Sequence, residues 1–373
     1  MNAPTSRLLR QLDARLSTTR DPRVFDCLCV ERACYFARQG NFVEARTVIA
    51  AVRKRHSSQP DAETTSWLNL AEGLVSYFSE LGSAAHDKIL RAHALSVASG
   101  LVSLNALAAA WLAQMDFSRL DPKSLALHVA EALRLSSPDL HSARCRASLV
   151  IAQALHLAGR WDLAAPWYTR ARLHATNEGD DLSISALMHN MVSMRLDHFR
   201  QVVLTGQGQA EAATFALVGI ESSVNFDYLI GTSTLEAIRP LMRARFLSLQ
   251  ERTAEALLTY EMSISGGVAA SLSRLESDVL SDVAWCRLLH GDVTKAKDAA
   301  RLAEASLTSR TQVDDRAATH SRLAKFYMKL GETENSEKHA LLADVAWQDF
   351  SALQKQFVCT LERISESGFS PTG

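Results

Sequence analysis

The sequence predicts an all-α fold, an α-solenoid of about eight antiparallel helical hairpins, and three observations predict it. Apolar residues recur at i, i+3, i+4 and i+7 almost throughout the 373 residues, and no segment alternates with period two for long enough to be a strand. Turn-forming clusters arrive at regular distances, among them Gln39-Gly40-Asn41, Leu120-Asp121-Pro122, His290-Gly291-Asp292 and Leu330-Gly331-Glu332. The third observation is a repeat: a small residue, a turn seven positions on, and an alanine or serine five positions further. It reads Ala33…Gly40-Asn41-Phe42…Ala45, Ala152…Gly159-Arg160-Trp161…Ala164, Ala244…Glu251…Ala256, Ala284…Gly291-Asp292-Val293…Ala296 and Ala324…Gly331-Glu332-Thr333…Ser336. A degenerate copy runs Gly73…Glu80…Ala85.

The spacing has a physical cause. A small residue on the first helix lets the second approach closely, a small residue on the second accepts it, and glycine reverses the chain without a Cβ penalty. The alanine on the second helix therefore serves as a ruler. It falls at Ala45, Ala85, Ala126, Ala164, about Ala213, Ala256, Ala296 and Ser336, in steps of 40, 41, 38, 49, 43, 40 and 40.

Taken in order, residues 1–23 form a basic N-terminal helix or cap, and residues 24–179 form hairpins one to four. Asp121-Pro122 starts a helix as an N-cap followed by proline at the first helical position. The long step from 164 to 213 holds a polar loop, Thr176–Asp181, and a long helix from about Leu182 to Leu204; it marks a hinge or an insertion. Residues 180–364 supply hairpins five to eight, and 365–373 a fraying tail.

At this point the chain resembles the tetratricopeptide-repeat superfamily. The family pattern of small residue, glycine-aromatic turn, alanine, large apolar residue and alanine is matched by Ala152, Gly159, Trp161, Ala164, Tyr168 and Ala171. It is matched again by Ala284, Gly291, Ala296, Ala300 and Ala303, by Ala33, Gly40, Phe42, Ala45 and Ile49, and by Ala324, Gly331, Ala340 and Ala343. The resemblance covers most of residues 24–345 and implies a right-handed superhelix. The period near forty rather than thirty-four is similar to the sensor arrays of bacterial regulators, although no effector domain accompanies it here.

Composition excludes several functions. Apolar residues make up 47% of the chain, enough for a continuous core, and the net charge of −1 offers no global field for nucleic acid or membrane. Residues 1–60 do carry eleven Lys/Arg against five acids, and nucleic-acid contact is expected, if anywhere, only through this basic N-terminal region. The start has no apolar signal-peptide core and no run spans a bilayer, so a cytoplasmic protein without membrane contact is expected. The six cysteines lack CxxC spacing and read as reduced thiols. No phosphate loop, nucleophile elbow or HExxH occurs, so neither catalytic nor metal-binding residues nor a cofactor are expected, and the chain reads as no enzyme. All six tryptophans read as helix-packing core.

What the resemblance implies is binding on an inner face made by the first helix of each hairpin. By register this face comprises Arg38, Arg146, Gln153, His156, His189, Asn190, Arg195, Arg245, Asp282, Trp285, Arg322, Lys325 and Lys329. Such a face suits acidic side chains or the backbone of a protein segment or peptide. The expected function is a scaffold or adaptor for another protein or peptide; the alternative is a ligand- or peptide-responsive sensor acting on a separate effector.

Overall fold

A computed structural model describes residues 6–80, 84–206, 212–233, 239–265, 276–309 and 311–366. The predicted tail from 367 onward lies outside these residues. The described part is all-helical, without a strand, and contains seventeen helices. They are α1 (Arg7–Thr18), α2 (Pro22–Gln39), α3 (Phe42–His56), α4 (Ala62–Glu80), α5 (Ala84–Ala98), α6 (Val102–Ser118), α7 (Pro122–Leu135), α8 (His141–Leu157) and α9 (Trp161–Glu178). There follow α10 (Asp181–Thr205), α11 (Ala212–Ile230), α12 (Arg239–Leu249), α13 (Thr253–Ser265), α14 (Glu276–Leu289), α15 (Val293–Ser306), α16 (Val313–Leu330) and α17 (Thr333–Glu366).

After α1 the helices pack in adjacent pairs: α2–α3, α4–α5, α6–α7, α8–α9, α10–α11, α12–α13, α14–α15 and α16–α17. Every residue of the ruler falls on the second helix of a pair. Ala45, Ala85, Ala126, Ala164, Ala256 and Ala296 are all buried there, as are Ala33, Ala152, Ala244 and Ala284 opposite. In the degenerate copy Gly73 does the work of the first alanine: a Cβ built on it would meet Ile89 Cγ1 at 2.5 Å. The turns take the expected left-handed form, with φ of 90° at Gly40, 74° at Gly159, 83° at Gly291 and 75° at Gly331.

Within the step of 49 residues, the described part is almost entirely helical. Helix α9 continues through Glu178, Gly179 turns the chain at φ 75°, and the Asp180 carboxylate caps α10 by accepting from the Ser183 N–H. Much of the excess length resides in α10, which runs for 25 residues. Helix α1 is fastened to this turn. The Leu8 N–H donates to the Gly179 carbonyl at 3.1 Å, and the Arg7 guanidinium donates to the Thr176 and Asn177 carbonyls.

First helices of successive pairs pack on one another, and pairs far apart in sequence also meet. Ser233 N–H donates to the Gln39 carbonyl at 3.1 Å, joining the end of the fifth pair to the turn of the first. Helix α17 packs on α7 and α8. Its Phe357, Leu361 and Ile364 enter the core of the third and fourth pairs, and Gln354 donates to the Leu157 carbonyl at 2.7 Å. Among the described residues no helix is long and apolar enough to cross a membrane.

Candidate functional site

The inner-face residues that the sequence places in an open groove are mostly engaged inside the protein. Arg38 donates to both carboxylate oxygens of Asp180, at 3.0 and 2.7 Å, across 142 residues. Arg146 is buried with its guanidinium 4.0 Å from the Trp111 ring centre, where burial and the nearby Arg38 charge hold its pKa down to about 10. His156 lies 3.2 Å from the Tyr168 hydroxyl, and Arg195 reaches over Trp161 at 5.2 Å. His189 meets Asp227 at 2.6 Å. Arg245 bonds Asp197 and Asp278, while Arg322 donates to Asp282 at 2.7 Å and also lies 5.8 Å from the Trp285 ring. Lys325 donates to the Val203 carbonyl at 3.0 Å.

Three of the thirteen differ. Gln153 is buried with an Oε1 that has no partner, Asn190 is half-buried and Lys329 is exposed. Most residues of the expected inner face are therefore buried or bonded within the protein. The physical reason is that neighbouring helices within and between successive pairs pack closely enough to bond these side chains, while Arg38–Asp180 and Lys325–Val203 add bonds between distant pairs. A bound segment would have to displace these partners before using their charges.

The basic N-terminal segment is likewise partnered: Arg15 with Glu31, Arg32 with Asp13, Arg53 with Glu72 and Arg55 with Asp26. Of the tryptophans read as core, Trp161 departs, being 41% exposed and packed at a tilt on His156 and Tyr168.

A buried ionic cluster was not singled out from the sequence. Arg200 on α10 is enclosed by Asp278 of α14 at 3.1 Å and by Asp314 and Asp315 of α16 at 3.0 and 2.8 Å. Burial, and then the adjacent Asp314 carboxylate, push Asp315 up to about 6. The adjacent acids at the start of α16 and an arginine between Leu196, Phe199 and Val203 are charges on apolar stripes, which is the signal that could have exposed them. The guanidinium fills the centre of this cluster, and among the described residues no group of three or more His, Cys, Asp or Glu is arranged to hold a metal ion.

A cavity of about 140 Å³ lies among the first helices of the first three pairs. Helices α2, α4 and α6 contribute Tyr35, Trp67, Leu70, Leu104 and Trp111 to its wall, and α1 closes it with Leu8 and Leu12. One end is charged: Arg38 and Asp180 are joined there by Glu31 and Glu178. Glu178 is pushed up to about 7 by burial and by the neighbouring Asp180 and Glu31 charges. An apolar body with one polar group matches such a wall, and the volume is close to the roughly 150 Å³ that admits a benzene-sized molecule.

No protein-family model matches the chain, and no curated protein matches its sequence.

Proposed function

We propose that the protein is a non-enzymatic helical-repeat sensor, of the right-handed superhelical kind that its tetratricopeptide-like pattern implies, which responds to a small ligand and acts on a separate effector. The observation that carries this reading is the cavity. Its wall is assembled from α1, α2, α4, α6, the start of α8 and the end of α9, so one occupant touches elements from four pairs and the N-terminal helix at once. A ligand that binds only this arrangement stabilises it by mass action and so shifts the stacking that an effector meets. First helices packing in succession, and contacts between the first and fifth pairs, support the superhelix.

The engagement of the inner-face charges by internal partners favours this sensor over a groove adaptor. One observation keeps the adaptor as a second reading: Leu127, Leu173, Leu258, Leu302 and Leu341 are exposed on second helices, where a protein partner could dock.

Trp67 and Trp111 make the cavity visible to fluorescence. Titration with benzene, indole and benzylamine should give a saturable emission change and a higher melting temperature for at least one probe. The Leu107→Trp variant, which fills the cavity, should lose both responses while still melting cooperatively. Silence from all three probes, or a response that survives the filled cavity, would overturn the sensor.

A further inference from the structure

We infer that the ligand of this cavity is an organic cation: a primary ammonium carried on a single-ring or short branched apolar body. The inference rests on the cavity being the ligand site and adds the charge of what it takes.

The charged groups gather at one end of the cavity. Three carboxylates line it: Glu31 from α2, Glu178 from the end of α9 and Asp180 from the turn. Arg38 also lines it, but its guanidinium is held by Asp180 through two hydrogen bonds. The remaining cation close to Glu31 is Arg15, at 3.6 Å, whose side chain is largely in solvent. Arg7, the basic residue of α1 nearest the turn, spends its guanidinium on backbone carbonyls of Thr176 and Asn177. Arg146 is also near but lies against Trp111 outside the lining, and it is not among the charges acting on Glu31 or Glu178.

Three carboxylates thus share two guanidinium groups, one of them exposed, and burial together with the Asp180 and Glu31 charges makes Glu178 an acid that ionises only near pH 7. A carboxylate withdrawn from water without a close cation is destabilising. An ammonium with three N–H donors, placed between Glu31 and Glu178, removes that imbalance with charge-assisted hydrogen bonds. An anion there would add a fourth negative charge and is excluded by the same count. The rest of the lining is mostly apolar, with Leu12, Leu70, Leu104 and Leu107 and the rings of Trp67 and Trp111, so the body of the ligand is hydrocarbon or aromatic. A fully hydrated inorganic cation has no use for that wall, and a long polyamine exceeds the volume.

The test compares benzylammonium with benzyl alcohol, which has nearly the same shape and no charge, by tryptophan fluorescence and calorimetry at pH 8. Benzylammonium should bind at least about tenfold more tightly, the ratio that one net charge-assisted contact supplies. In the Glu31→Gln/Glu178→Gln double variant that advantage should vanish while benzyl alcohol binds as before, which shows that the cavity has kept its shape. Equal binding of the two probes by the unmodified protein would overturn the ammonium and leave the cavity as the ligand site. Failure of both probes to bind would overturn the cavity reading itself and the ammonium with it.

Discussion

Glu251 holds a backbone conformation that four other turns give to glycine. Its φ is 60°, where Gly40, Gly159, Gly291 and Gly331 have 74° to 90°, and its side chain is exposed. A Cβ in this region is strained, so Glu251→Gly should stabilise the protein by about 0.5–1 kcal/mol after the added freedom of the unfolded glycine is subtracted. An unchanged or lower melting temperature would refute the strain. The buried histidines govern the response to acid. His156, His174 and His320 are each held down to about 4, chiefly by burial and then by nearby cations or a second histidine. In the unfolded chain they titrate near 6.5, so their stability is present above that pH and is lost as pH falls toward 4. Asp315 and Glu178, raised to about 6 and about 7, act the other way, since the native state takes up their protons first and gains as pH falls. Glu31, Asp181, Asp197 and Asp314 are raised as well and also gain as pH falls, so the part that belongs to the histidines is a drop in melting temperature between pH 6.5 and 4. His174→Asn, which keeps a hydrogen-bonding group beside His141, should make that drop shallower; an identical profile would exclude this origin.

At the scale of the helical pair, close approach decides stability. Gly73 admits Ile89, itself buried, and Gly73→Val should overpack the α4–α5 contact at a cost of about 1–3 kcal/mol. A denaturation midpoint equal to that of the unmodified protein would show that the pair tolerates a wider separation. This scale is also where the sequence is most legible. Ala126 locates α7 although Leu120 replaces glycine at its turn, and the long helix expected near Leu182–Leu204 is observed as Asp181–Thr205. Helical periodicity and small-residue spacing are local, so they survive in a one-dimensional reading. The expected Thr176–Asp181 loop failed because polarity was taken for irregularity: Thr176 and Asn177 are helical, and their carbonyls receive Arg7 from another helix.

For the whole molecule, what the sequence did not disclose is which charges meet. Arg38 and Asp180 lie 142 residues apart and Arg200 and Asp315 lie 115 apart. Those pairings depend on the angle at which successive pairs stack, a quantity that no spacing of alanines records. The candidate cavity was hidden for the same reason: its Trp67 and Trp111 read as ordinary core, and the acids that share its lining come from the first and fourth pairs and the turn after the fourth. The return of α17 to α7 and α8 also bears on how the chain folds. In a simple row of repeats each unit needs only its neighbours, so folding can start anywhere and the ends can fray independently. Here Gln354 and Leu157 must meet across 197 residues before the core of the third and fourth pairs is complete. The loop-closure entropy of that encounter slows the search and makes the last step a joint one. The middle of the chain therefore waits for its end: a ribosome must release α17 before α8 acquires its final protection, and the protein matures as a unit rather than repeat by repeat.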